Sequence, residues 1–200
     1  MLALIGDIHG CLGPLEEIVN AALQRTSILV FLGDYVNRGP DSSEVVEFLV
    51  SLQGEKQIET HFLEGNHDVE FRKVLDGGEV DHLLRMGGAS TIAAYVEHPY
   101  GDVGEQLRRA VPSSHYEFFN NLELSFAIAG LTVSHENPSL LSPGQYSVSG
   151  HAPRSGLVPM ISDSTAFIDT GCGTIRGGRL TCLYWPNLEW TQSTTTWSAD

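Results

Sequence analysis

Three short apolar runs each lead, through a glycine, to a side chain that can bind a metal. Leu2 to Ile5 runs into Gly6-Asp7-Ile8-His9-Gly10, Ile28 to Leu32 into Gly33-Asp34, and Ile58 to Leu63 is followed by Gly65-Asn66-His67-Asp68. The run Ile28 to Leu32 is apolar without a break, as expected of a strand buried on both faces. Between the runs the apolar period changes. Leu15, Ile18, Val19, Ala22 and Leu23 recur at helical spacing behind Pro14, which suits a first turn. Ser42 and Ser43 stand where they can cap a second helix carrying Val45, Val46, Leu49, Val50 and Leu52. This βαβαβ order predicts a largely parallel sheet covered by helices. Ligands of such sheets bind outside the carboxyl ends of the strands, where all three motifs fall. The glycines permit tight turns and close backbone approach there.

From about Val69 to Leu122 the pattern is helical, with breaks at Gly77-Gly78 and Gly87-Gly88. The tail changes character. Leu124 to Ile128 and Leu131 to Ser134 flank Ala129-Gly130, a hairpin signal, and Thr165 to Ile168 and Leu180 to Tyr184 are further strand candidates. These predict a mixed α/β fold with an antiparallel second half. With 200 residues and no repeat, linker or low-complexity segment, the chain reads as one domain over 1–200.

Two later histidines, His135 after Leu131-Thr132-Val133-Ser134 and His151 in Gly150-His151, join Asp7, His9, Asp34 and Asn66 as candidate metal ligands. Mixed carboxylate and imidazole ligation suits Mn²⁺, with Fe, Zn or Ni as alternatives. The set is too large for one ion that must keep an open position. It suits two divalent ions bridged by one carboxylate, a pair that activates water and clamps phosphoryl oxygens. The formal net charge of −14 disfavours general binding to nucleic acid. An acidic chain with only 11 Lys and Arg needs local cations to hold a phosphate, which again points to metals.

No apolar stretch approaches the ~20 residues that span a bilayer, and the start lacks the basic, apolar pattern of a signal peptide. Cys11, Cys172 and Cys182 lack metal-ligand spacing, and a reduced, cytoplasmic protein is expected. Cys11 is the cysteine to watch, because it lies beside His9. His61, His82, His98 and His115 match no motif and read as core or surface residues.

The blocks Gly6-Asp7-Ile8-His9-Gly10, Gly33-Asp34-Tyr35-Val36-Asn37-Arg38-Gly39 and Gly65-Asn66-His67-Asp68 resemble the signature of the calcineurin-like metallophosphoesterases. Within them the chain resembles the bacterial and phage branch of the serine/threonine phosphoprotein phosphatases. Met86-Gly87-Gly88-Ala89-Ser90-Thr91, Ile168-Asp169-Thr170-Gly171 and Gly177-Gly178-Arg179-Leu180 carry the same likeness. The resemblance implies a four-layer α/β/β/α sandwich with two mixed β-sheets. It implies one metal on Asp7, His9 and a bridging Asp34, and a second on Asp34, Asn66, His135 and His151. A hydroxide bridging both metals would attack phosphorus in line. His67 would protonate the leaving oxygen, and Arg38 and Asn66 would hold phosphate oxygens.

Three departures qualify the likeness. Asn37 stands where the family has an Asp that orients the acid histidine. His135-Glu136-Asn137 replaces the usual His-Ala-Gly. Residues 136–150 are few and hold no Arg or Lys, so the family's second phosphate-binding Arg is missing there, and Arg154 is the nearest substitute. A short cap implies an open, shallow site. The implied activity is metal-dependent hydrolysis of phosphate monoesters, with a phosphorylated protein or a small phosphoester as substrate and phosphoserine or phosphothreonine first. Dinucleoside polyphosphate hydrolysis shares the same blocks. A pseudophosphatase that binds a phosphorylated ligand would follow if Asn37 and the missing Arg abolish turnover.

Overall fold

In the computed structural model, which describes residues 1–136, 145–153 and 156–197, strand and helix alternate through the first part of the chain. β1 (Leu2–Ile5), α1 (Leu12–Leu23), β2 (Ile28–Phe31), α2 (Ser42–Gln53) and β3 (Glu59–Phe62) form the expected βαβαβ unit. β1 pairs in parallel with β2, Ala3 opposite Leu29 and Ile5 opposite Phe31, and β2 pairs in parallel with β3. The unbroken apolar runs follow from burial on two sides. Ala3, Ile5, Leu29 and Phe31 pack with Leu15, Ile18, Val45 and Leu49 of the helices. Their neighbours Leu2, Leu4, Val30 and Leu32 pack instead against a second sheet, on Phe126, Val133, Val148 and Ala166.

The helical stretch that follows holds α3 (Asn66–Leu75), α4 (Asp81–Arg85), α5 (Ala89–Tyr95), α6 (Val103–Ala110) and α7 (Ser113–Asn120). The chain turns between them at Gly77 and Gly87, with φ of 100° and 85°. Phe71, Leu83, Ile92, Leu107 and Phe119 join the same apolar cluster as α1 and α2. No described helix is long and apolar enough to cross a membrane.

The second sheet has the order β4-β5-β6-β8-β7, from β4 (Ser125–Ile128), β5 (Leu131–Ser134), β6 (Tyr146–Ser149), β7 (Met160–Ile161) and β8 (Thr165–Phe167). The hairpin at Ala129-Gly130 forms, Gly130 taking φ of 81°. The wholly antiparallel second half does not. β5 pairs in parallel with β6, and β6 with β8, because the chain crosses over between them rather than turning back. β9 (Thr181–Trp185) and β10 (Glu189–Gln192) return to the first sheet, whose order is β10-β9-β1-β2-β3. Two mixed five-stranded sheets therefore face each other, with helices outside the first, an α/β sandwich as the resemblance implies; among the described residues no helix supplies the fourth layer over the second sheet, since the elements after α7 are all strands. Every described helix precedes β4.

Candidate metal centre

The carboxyl ends of β1, β2 and β3 and those of β5 and β6 meet at one edge of the sandwich. Parallel pairing sets Ser134 opposite Ser149, so His135 and His151 emerge side by side. Antiparallel pairing would have sent them to opposite ends. Gly150 N donates to His135 O at 3.1 Å, and His151 N donates to Asp7 Oδ2 at 2.9 Å, tying the second sheet to the first. The contact leaves no room at Gly150, where a Cβ would stand 2.0 Å from Asp7 Oδ1.

The loops after β1 and β2 are stitched to each other. Ile8 N and His9 N both donate to Asp34 O, at 3.2 and 2.8 Å. Asp68 braces the next pair of loops: its carboxylate accepts from Asp34 N, Tyr35 N and Gly65 N at 2.7, 2.9 and 3.0 Å. His9, Asp34, Asn37, Arg38 and His151 all take φ between 47° and 74°. Such left-handed backbone costs a non-glycine residue on the order of 1–3 kcal/mol and persists where surrounding contacts over-determine it. Among the described residues only Leu157 and Leu188 share it elsewhere. Backbone strain is thus concentrated on the predicted site residues.

The donor atoms converge. Asp34 Oδ2 lies 3.5 Å from His9 Nε2 and 3.4 Å from His135 Nε2. Asn66 Oδ1 lies 3.1 Å from His135 Nε2 and 2.9 Å from His151 Nδ1, and those two nitrogens are 3.2 Å apart. Ligands at ~2.1 Å from one ion, at right angles, stand about 3.0 Å apart, so the triangle has the size of a metal's donor set. Two groups, His9-Asp34-His67 and Asp34-His135-His151, each bring their ligand atoms within 4.8 Å and share Asp34. His9 Nδ1 faces Val36 O at 3.3 Å and His135 Nδ1 faces Leu32 O at 2.9 Å. A carbonyl only accepts, so each Nδ1 carries the proton, which leaves Nε2 as the lone pair turned to Asp34 in a neutral ring.

Electrostatics also fit divalent ions. Burial, then Asp169 and Asp34, push the Asp7 carboxyl well above its ordinary range. Asp7 Oδ1 is buried with no hydrogen-bond partner. Burial opposes the charge on Asp34 too, but His135, His9 and His67 hold it below the usual carboxylate range. Burial works against a charged His135, yet Asp34, Asp7 and Asp68 outweigh it and raise the ring to about 10. The carboxylates around His135 thus favour positive charge at this position.

His67 and Arg38 line the cavity at this edge, about 260 Å³, together with Pro153, Asp169, Thr174 and Ile175. Asn37 Nδ2 lies 2.9 Å from His67 Nδ1, and burial lowers the His67 ring to about 4, Arg38 and His9 assisting. Arg38 N donates to Gly87 O at 3.1 Å, and its side chain lies so close over Gly87 that a Cβ there would reach 2.7 Å from Arg38 Cδ. The Gly87-Gly88 break thus seats Arg38.

Ser42 does not cap α2 with its side chain. Asp41 is the capping residue, and Ser42 Oγ turns inward, 3.0 Å from Thr91 Oγ1. Asp169 is 1% exposed and accepts from Gly171 N at 2.9 Å, and Thr174 Oγ1 is buried in the cavity wall without a hydrogen-bond partner. The sequence pattern singles out neither, although Asp169 stands in the family-like stretch Ile168-Asp169-Thr170-Gly171. Cys11 supports the first loop from behind, Sγ donating to His9 O at 3.4 Å. His61, His82 and His115 pair with glutamates away from the cavity, and His98 is exposed. Arg154 and Asn137, and most of the short cap, lie outside the described residues.

A profile of the calcineurin-like phosphoesterases matches residues 1–163. The chain belongs to this family. Its members are phosphoesterases with a dinuclear divalent metal centre. The chain is 24% identical, over 93% of its length and 89% of the relative's, to an asymmetrical bis(5'-nucleosyl)-tetraphosphatase of Oceanobacillus iheyensis. It is 31% identical to a serine/threonine-protein phosphatase of Arabidopsis thaliana, over 43% of this chain and 9% of that protein. A crystal structure proposed to be that of a diadenosine tetraphosphatase superposes with a TM-score of 0.68, at 19% identity, over 96% of this chain and 92% of the other, and establishes the shared fold.

Proposed function

We propose that this phosphoesterase cleaves the phosphoanhydride chain of a dinucleoside polyphosphate, using two divalent ions, Mn²⁺ first, held by Asp7, His9, Asp34, Asn66, His135 and His151. The observation that carries the proposal is the amide of Asn37 against His67. A carboxylate there would favour an imidazolium, the form that best serves an alkoxide leaving group such as a phosphoserine side chain. An amide does not, and suits a leaving group that departs as a phosphate anion with little help. Similarity along nearly the whole of both chains to the tetraphosphatase supports the same choice.

Bound ions would supply an activated water and neutralise charge at the reacting phosphoryl group. The chain's own residues do the rest. Arg38 grips phosphate oxygens through its planar fork, and the Asn66 amide adds a contact beside it. Thr174 Oγ1, buried without a partner in the same cavity, offers a hydroxyl. Asp68 keeps the second and third loops in register, and His67 faces the leaving group.

A phosphoprotein substrate is the second reading, favoured by the 31% identity to the plant phosphatase. With Mn²⁺, kcat/KM is measured on diadenosine tetraphosphate, a phosphoserine peptide and nitrophenyl phosphate. The tetraphosphate is expected to lead the peptide by at least ~10-fold, about 1.4 kcal/mol in barrier. A peptide turned over as well or better overturns the proposal in favour of the second reading.

A further inference from the structure

His67 differs from the rings beside it in where its proton must lie. His9 and His135 turn Nδ1 to backbone carbonyls, so that in the neutral ring Nε2 is the lone pair. His67 turns Nδ1 to the Asn37 amide at 2.9 Å. If the amide nitrogen faces the ring, it can only donate, and a neutral ring then carries its proton on Nε2. If the amide oxygen faces the ring, the proton lies on Nδ1 and Nε2 becomes a ligand-type lone pair. The amide's orientation therefore decides whether His67 gives a proton or binds an ion.

Two hydroxyls from other elements decide the orientation. Thr91, in α5, places Oγ1 2.8 Å from Asn37 Oδ1, 2.8 Å from Asn37 N and 3.0 Å from Ser42 Oγ. Asn37 N also approaches Ser42 Oγ at 3.3 Å. Asn37, Ser42 and Thr91 are all 0% exposed, so no solvent completes the set. With the amide nitrogen toward His67, every hydroxyl proton is used. Ser42 donates to Thr91, Asn37 N donates to Thr91, and Thr91, both lone pairs engaged, donates to Asn37 Oδ1. With the amide reversed, Nδ2 donates to Thr91, and Thr91 must turn its own proton to Ser42. The Ser42 proton is then left without an acceptor among the described residues, an arrangement buried groups avoid. A doubly protonated His67 fares no better, since its Nδ1–H would meet the amide N–H.

We propose that Ser42 and Thr91 are positioning residues that lock the Asn37 amide and thereby hold His67 as the Nε2–H form, pointing a proton into the cavity. His67 stands within ligand distance of His9 and Asp34, and on distance alone would count as a further metal ligand. The relay removes it from that role and reserves it for substrate. Only the use of the proton rests on the function proposed above; the tautomer stands apart from it.

The test reads the ring directly. Long-range ¹H–¹⁵N correlations on metal-free protein distinguish the two tautomers, with the His67 signals identified by their loss in His67→Gln. The wild type is expected to show Nε2–H. Thr91→Val, which keeps the shape and removes the hydroxyl, is expected to give a mixture or the Nδ1–H form, and Thr91→Ser to restore the wild-type pattern. Ser42→Ala serves the same purpose should Thr91→Val fail to fold. An Nδ1–H wild type, or a tautomer unmoved by the folded variants, overturns the relay. With Mn²⁺, and with KM little changed, Thr91→Val is expected to lose several-fold in kcat on a phosphoserine peptide, whose leaving group needs the proton, and less on diadenosine tetraphosphate. The expected tautomers without activity on the tetraphosphate would keep the relay and sink the substrate assignment.

Discussion

The two sheets contribute to the site in different ways. Loops from the first sheet brace one another: Asp34 O ties the first loop to the second, Asp68 ties the second to the third, and Ser42 and Thr91 anchor Asn37. The second sheet adds His135 and His151 through fewer contacts, chiefly Leu32 O, the Gly150 turn and Asp7 Oδ2. Asp7, His9, Asp34 and His135 are buried, whereas His151 is exposed. The first sheet therefore holds a preformed half-site, and docking of the second completes it. Asp34 is the carboxylate shared by both halves.

That asymmetry is most sharply broken at Asp34. Asp34→Ala is expected to lower kcat/KM by at least ~10³-fold, since a carboxylate common to both donor groups would serve both ions, each worth several kcal/mol. His151→Ala, on the exposed side and in only one of the two donor groups, is expected to cost less, about 10- to 100-fold, or roughly 1.4–2.7 kcal/mol in barrier. Equal losses in the two variants would mean that Asp34 bridges nothing.

Gly150→Ala probes the docking itself. The added Cβ would stand 2.0 Å from Asp7 Oδ1, so the second sheet's loop must shift away from the first. Metal retention and activity are both expected to fall sharply. Gly130→Ala at the distant hairpin, where the nearest atom is 4.0 Å away, should cost only backbone strain, about 1–2 kcal/mol in thermal or urea unfolding, with activity kept. Full activity in Gly150→Ala would show that the two halves do not need this contact.

Arg38 belongs to the preformed half and should act without disturbing the ions. Arg38→Ala is expected to raise KM and lower kcat/KM by about 10- to 100-fold, the worth of a charge-assisted bond of roughly 1.5–3 kcal/mol. Metal content should stay at the wild-type level. Unchanged kinetics in this variant, with a large loss in Arg154→Ala, would move phosphate recognition to Arg154.

The smallest effect, and the most selective, is expected at Asn37. Asn37→Asp supplies the charge that favours an imidazolium at His67 and so raises that ring from its low value of about 4. Turnover of a phosphoserine peptide should rise several-fold and its alkaline limb move to higher pH. Nitrophenyl phosphate and the tetraphosphate, whose leaving groups need little proton, should change less. An equal gain on all substrates would remove His67 from proton donation.

The same asymmetry explains what could be read from the sequence. Asp7, His9, Asp34 and Asn66 follow strands within a few residues, so local pattern and the carboxyl-end rule place them together. His135 and His151 are legible as motifs, but their meeting depends on parallel pairing of β5 with β6, which the hairpin signals obscure. Ser42 reads as a cap because capping statistics are local, whereas its inward turn depends on Thr91, 49 residues away in sequence. Thr91 and Asp169 lie inside family-like stretches of sequence that give them no role, since a hydroxyl or carboxylate acquires one only from what faces it. Asn37 is legible as the departure from the family pattern, and its contact with His67 is present in the fold.

Metal stoichiometry tests the shared site most directly. Wild-type protein loaded with Mn²⁺, freed of excess and analysed by inductively coupled plasma mass spectrometry, is expected to hold about two ions per chain, the number a bridged pair requires. Folded Asp34→Asn is expected to lose more than one of them. One tightly held ion in the active wild type, or two ions retained in Asp34→Asn, would contradict a centre bridged by Asp34.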